Sequence, residues 1–311
     1  MSSSPNNDAA SAGATAPDLH DPVALARLGR YTLAARLVVD GLFSGRHKSP
    51  RKGFSVEFAE HKPYTPGVDP KHLDWKLLAR RERLYVKQYD EQTNLRGVVL
   101  LDSSASMGFA HSGPMTKHQY ASCCAAALCH LMQRQQDAFG LTTFGKAIHD
   151  DIAPRQGAAH LARIGEALEQ REPTGDMSLS DAVDHLARRL RRRSLIIVLS
   201  DFLGDGADAK TLADSLGMLR HRKHELIALQ ILDPAELTFP FRDVGRIEDT
   251  ETGRVVEADP QAIADHYRAA MQRHVDTLRR SCLNASMGYA LGQTSQTFDD
   301  FLAGMLARRE S

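Results

Sequence analysis

The sequence predicts an α/β fold, a doubly wound and mostly parallel sheet preceded by an N-terminal accessory region, and two observations carry that prediction. From about residue 95 onward, short apolar runs such as "GVVLL" and "IIVL" alternate with amphipathic segments of helical period. Each run is apolar at consecutive positions instead of every second one, the pattern of strands covered on both faces. The elements follow in order: strand 95–102, helix Lys117 to Gln136, strand 138–144, helices 160–170 and 179–193, strand 194–201, helix 208–222 and strand 225–232. A hairpin over "RIEDTETGRVVEAD" turning at Thr252-Gly253, a long helix from Pro260 to Asn284 and a last helix from Gln296 to Arg308 complete a domain over 95–311.

Ahead of it, residues 1–20 are mostly Ser, Asn, Ala and Pro, too poor in large apolar groups to offset the entropy of ordering, and are expected to form a disordered tail. Residues 21–94 form the accessory region. It opens with "DPVALARLGRYTLAARLVV", one amphipathic helix with Asp21 as cap and Pro22 in the first turn. Extended segments broken by Pro and Gly follow, with Asp69 and Pro70 opening a short helix and "RLYVKQY" alternating as a strand.

Composition narrows the function classes. Lys plus Arg and Asp plus Glu each total 39 in 311 residues, so no net field draws the chain onto nucleic acid or anionic lipid. No stretch is long and apolar enough to span a bilayer, and the start lacks the basic and apolar regions of a signal peptide. Three of the four cysteines crowd into "CCAAALC" and the fourth is Cys282, a usage that suits reduced thiols in a core and a cytoplasmic protein.

In such sheets, ligands sit beyond the carboxyl ends of the strands. Two of those ends carry aspartates: Asp102 after "GVVLL", opening D-x-S-x-S with Ser104 and Ser106, and Asp201 after "LIIVLS". Skipping one residue each time lets a curling loop aim a carboxylate and two hydroxyls at one point. Hard oxygens from one loop joined by a carboxylate from another suit Mg²⁺ or Mn²⁺.

These residues resemble the metal-ion-dependent adhesion site of von Willebrand factor A domains, a Rossmann-type fold. Upstream, "GRHKSPRKGFSVEFAEHKPYTPGVDPKHLDWKLLARRERLYVKQYDEQ" resembles the signature of the bacterial domain of unknown function 58 family, whose members carry a von Willebrand factor A-like domain. The resemblance covers roughly residues 40 to 205. It implies a metal held by Asp102, Ser104, Ser106 and Asp201, no known catalysis, and a partnership with a MoxR-type AAA+ ATPase. It also implies a threonine ligand in "PTGDMSLSDAV", where ungapped alignment instead places Met177, a soft donor unsuited to a hard cation. Thr174, Asp176 and Ser178 are the substitutes within reach of a shifted loop.

The function expected is a protein–protein interaction module in which an under-neutralised divalent ion takes a carboxylate of a partner's Asp or Glu. The upstream block around Arg46, Tyr64, Pro66, Asp74, Trp75 and Arg80 packs on the sheet or forms a second interaction surface. The alternative is a metal-dependent hydrolase or phosphatase with Asp102 as nucleophile, but the residue two positions on is Ser104, not an acid. "GLTTFGKA" nearly matches a phosphate loop, yet Ala147 lacks the hydroxyl and "LTTF" falls inside a strand. The run "RRLRRR" at 188–193 reads as the solvated end of a helix, with no nucleic-acid partner assigned. His111, His118, His130, His221 and His224 show no metal-ligand spacing.

Overall fold

Five strands run parallel: β3 (Arg96–Asp102), β4 (Ala138–Phe144), β6 (Leu195–Ser200), β7 (Glu225–Leu232) and β10 (Gly288–Gln293). With β5 (Ile148–Arg155), antiparallel to β4 at one edge, they form a sheet of order β10-β7-β6-β3-β4-β5. The computed structural model describes residues 21–307 apart from 28, 45–60, 64–84, 88–94, 176, 205–208, 243–244, 249–254 and 259. Short antiparallel pairs lie outside the sheet: β1 (His61–Pro63) with β2 (Tyr85–Lys87), and β8 (Gly245–Glu248) with β9 (Val255–Ala258). The predicted turn at Thr252-Gly253 and the helix opened by Asp69 and Pro70 lie outside the described residues.

Side chains that alternate along each central strand feed two separate cores. Val99, Leu101, Ile197, Leu199, Leu229 and Ile231 face one side, with α3 (Lys117–Arg134), α4 (Ala158–Glu169) and α9 (Phe298–Ala307). Val98, Leu100, Ile196, Val198 and Ala228 face the other, with α5 (Leu179–Arg189), α6 (Ala209–His221) and α8 (Pro260–Asn284). Burial on both faces is why these strands read as unbroken apolar runs.

The N-terminal helix of the accessory region differs from expectation in one way. It is two helices, α1 (Pro22–Arg27) and α2 (Tyr31–Ser44), because Gly29 adopts φ 72° and ends the first. Arg30 N–H donates to Leu25 O at 2.9 Å and Gly29 N–H to Ala26 O at 3.0 Å, the paired bonds of a Schellman stop. Asp21 caps α1 as expected, accepting from Val23 N–H at 2.9 Å. Moreover, Leu25, Tyr31, Ala34, Val38 and Val39 are buried in the same core as α3, so α1 and α2 pack with the domain assigned to 95–311. Squeezed between α2 and the sheet, α3 is buried nearly all round, which accounts for the small side chains of "CCAAALC".

The edges of the sheet were missed from sequence. In β5, "IHDDIAPR" carries charges and a proline, as edge strands do. In β10, Gly288 and Gly292 dilute the strand pattern, and a Cβ at Gly292 would stand 2.8 Å from the Phe301 ring. The chain runs from β3 outward to β4 and β5, then returns to β6 on the other side of β3. The strand order therefore reverses between β3 and β6, at the ends that carry Asp102 and Asp201.

Candidate functional site

Asp102 is the last residue of β3, and its carboxylate is 5% exposed. Oδ1 accepts from Ser104 N–H at 2.9 Å and Oδ2 from the Ser200 hydroxyl at 2.5 Å, so the ends of β3 and β6 are tied side chain to side chain. After Ser104 the chain turns through a single 3₁₀ turn, Ala105–Gly108, which brings the Ser104 and Ser106 hydroxyls within 3.1 Å of each other. Ser106 also lies near enough to Asp201 to help hold that carboxylate down. Asp102, Ser104, Ser106 and Asp201, picked out by strand ends and spacing, thus gather at one rim of the sheet, all buried but Ser106, which is partly exposed.

Asp201 is held firmly. Phe202 beside it is buried and has φ 56°, a left-handed conformation rare for a bulky residue, and Leu203 N–H donates to Asp201 Oδ1 at 3.0 Å. Gln230 on β7 donates to Asp201 O at 2.9 Å and in turn accepts from the Tyr289 hydroxyl at 2.6 Å.

Two residues that the sequence reading did not select complete the cluster. Lys117 Nζ donates to Asp201 Oδ2 and to Glu236 Oε1, both at 2.6 Å, with the lysine and Asp201 each 1% exposed. Glu236 lies in α7 (Pro234–Thr238), where its Oε2 accepts from Asp233 N–H at 2.8 Å in a capping box. The Asp233 carboxylate accepts from the backbone of His111, Ser112 and Gly113, each at 3.0 Å, pinning the loop that delivers Lys117. A lysine at the first position of a helix opposes the helix dipole, so its burial there already signals a specific anionic partner.

The electrostatics separate the two aspartates. Burial, then the charge of Asp201, pushes Asp102 up to about 7, against the opposing hydrogen bonds of Ser200 and Ser104. Burial would also raise Asp201, but Lys117 outweighs it and holds Asp201 below the usual carboxylate range. Burial works against the charge of Lys117, and Asp201 and Glu236 overcome it, raising the ammonium. Among the described residues Asp102 has no cationic partner.

The 174–178 loop, expected from sequence to offer a further oxygen donor, divides its candidates. Ser178 is the N-cap of α5, its hydroxyl accepting from Asp181 N–H at 3.2 Å and donating to Asp181 Oδ2 at 3.0 Å, so it serves the helix. Met177 packs against the core on the α5 side, the place a thioether suits. Asp176 lies outside the described residues. Thr174 sits on the segment nearest the serines, where its N–H donates to Ser103 O at 2.7 Å, and Ala105 N–H donates to Gly175 O at 2.8 Å.

The near phosphate-loop motif meets this segment but does not hold a phosphate. "LTTF" is in β4, and Gly145 leads across a bend into β5 instead of a helix. Gly145 packs where a Cβ would collide with Thr174 O and Ser103 O, and its own carbonyl accepts from Met177 N–H at 2.5 Å. The glycine is there for interlocking loops. A second motif-like contact, Ser103 Oγ to His118 Nε2 at 3.2 Å, is buried, with Ser103 0% and His118 2% exposed, so this serine is not presented to a substrate. Arg191, Arg192 and Arg193 are exposed beyond the end of α5.

Fold and rim together define a doubly wound α/β protein whose candidate site is an acid-and-hydroxyl cluster at the crevice where strand order reverses. The chain belongs to the family described as Protein of unknown function DUF58, whose model matches residues 60–277. It is 30% identical over 274 residues to uncharacterized proteins of Mycobacterium bovis and Mycobacterium tuberculosis, an alignment covering 85% of this chain and 84% of each relative. Among solved structures it is similar to the conserved hypothetical protein BatB of Bacteroides thetaiotaomicron, at 14% identity and TM-score 0.48 over 70% of this chain and 100% of that one. It is also similar to the SpRpn10 VWA domain, at 14% identity and TM-score 0.42 over 68% of this chain and 94% of that one. Among the described residues no helix is long and apolar enough to cross a membrane. The block around Arg46, Tyr64, Pro66, Asp74, Trp75 and Arg80 lies outside the described residues.

Proposed function

We propose that this protein is a recognition module that uses a divalent ion, Mg²⁺ or Mn²⁺, to engage a carboxylate on a protein partner. One observation carries the reading: a buried aspartate without a cationic partner among the described residues, Asp102, stands beside two hydroxyls that face each other, at the end of the sheet where ligands bind. The donor set fits the ion. Carboxylate and hydroxyl oxygens are hard ligands, and Asp102, Ser104 and Ser106 would hold it, with Asp201 as the second acid. With two carboxylates and two neutral hydroxyls as its donors, an ion held here would keep positive character for an incoming acid.

The chemistry of this chain's own residues is positioning. Ser200 and the Ser104 amide orient the Asp102 carboxylate, and the Thr174–Gly175 segment clamps the backbone of Ser103 and Ala105 so that the hydroxyls keep their aim. As a nucleophile Asp102 lacks the companion acid, since the residue two positions on is Ser104. The partner proposed from the family resemblance is a MoxR-type AAA+ ATPase, with the protein working in the cytoplasm.

Titration calorimetry with Mg²⁺ and Mn²⁺ tests the ion. Saturable heat in the wild type that disappears in Asp102→Ala supports the reading, and absence of binding in both discards it. Capture of a co-expressed MoxR-type ATPase that fails in EDTA and returns with Mg²⁺ supports the partner, whereas capture indifferent to the ion contradicts a metal bridge.

A further inference from the structure

We propose that Lys117 is the built-in cation of this site, and that a divalent ion binds by displacing its ammonium from Asp201; this rests on the ion-binding reading above. Asp201 differs from Asp102 in already holding a full positive charge: Oδ2 takes the lysine at 2.6 Å, while Oδ1 takes Leu203 N–H at 3.0 Å. An ion that draws on Asp201 therefore meets a competitor of its own sign, buried with it and screened little by solvent.

The cluster also provides for the displaced lysine. Glu236 Oε1 already shares the ammonium at 2.6 Å, and that glutamate is fixed through its other oxygen to Asp233 N–H in the capping box of α7. Lys117 can give up Asp201 and remain paired. Its backbone is anchored independently, by Thr116 and Gln119 in their own capping box and by the Asp233 carboxylate on residues 111–113. The side chain is thus the part free to exchange partners while the start of α3 stays in place. Without an ion, the lysine neutralises Asp201, which lies close enough to Asp102 for the two charges to interact. With an ion, the lysine serves Glu236, and ion binding at the rim is coupled to α7.

Two substitutions of opposite expected sign test this by Mg²⁺ and Mn²⁺ calorimetry and thermal melting of the full chain. Lys117→Met removes the competitor, so the ion binds at least about tenfold more tightly than in the wild type. Its ion-free form melts lower because Asp201 and Glu236 are left facing each other, and Mg²⁺ raises its melting temperature more than that of the wild type. Glu236→Gln removes the alternative acceptor, so the lysine stays on Asp201 and the ion binds more weakly. Lys117→Met that folds yet binds the ion no more tightly, or Glu236→Gln that binds it more tightly, overturns the proposal. If Lys117→Met fails to fold, the Glu236→Gln result decides alone. Binding in Lys117→Met but not in the wild type upholds the role of Lys117 while removing the ion from the native protein's function; binding in neither overturns both.

Discussion

Ser200, the last residue of β6, donates its hydroxyl to Asp102, the last residue of β3, at 2.5 Å, and accepts from Phe202 N–H at 2.9 Å. One buried hydroxyl therefore joins the two strand ends and supports the left-handed turn that follows. Ser200→Ala leaves a buried carboxylate oxygen and a buried N–H short of a partner, an expected loss of about 1–3 kcal/mol measured by urea unfolding.

Gly175 has φ 81°, and a Cβ there would collide with the Lys146 backbone, while its carbonyl holds Ala105 N–H at 2.8 Å. Gly175→Ala is therefore expected to cost about 1–3 kcal/mol in strain and displacement. Because the displaced segment clamps the serine loop, its affinity for Mg²⁺ falls as well, which calorimetry on the folded variant reads directly.

His118 gives the protein an acid limit. Burial, then the nearby charge of Arg171, lowers it from 6.5 to about 4 in the folded chain. As pH falls, the unfolded chain takes the proton first, so this contribution is whole above about pH 6.5 and is lost progressively toward pH 4, about 3 kcal/mol in all. Urea midpoints measured across that range fall in the wild type and fall less in His118→Gln.

All four cysteines are buried, and burial raises each thiol above its ordinary value. A thiol reagent at pH 8 is expected to label native protein only as fast as it opens, and to label four thiols promptly in denaturant. Rapid labelling of the native state would contradict this packing.

The sheet was legible where burial on both faces writes itself as continuous apolar runs: "AFGLTTF" and "ELIALQIL" coincide with β4 and β7 residue for residue. It was illegible at the edges, where β5 is charged and β10 carries glycines that make room for a neighbouring ring. Likewise the four candidate oxygen donors could be picked out from local spacing and strand ends, since each lies at or just beyond the end of its strand. Lys117 and Glu236 could not, because what makes them part of the site is a meeting of α3 with α7 that no local pattern encodes. The clues were a cation at the wrong end of a helix and the D-P-x-E start of α7.

The most direct test of the ion-dependent account is anomalous scattering from crystals of the wild-type protein grown with Mn²⁺. A manganese peak is expected enclosed by Asp102, Ser104 and Ser106, with Lys117 withdrawn from Asp201 toward Glu236. Manganese absent from that rim at saturating concentration, with Lys117 still bridging Asp201 and Glu236, would contradict it.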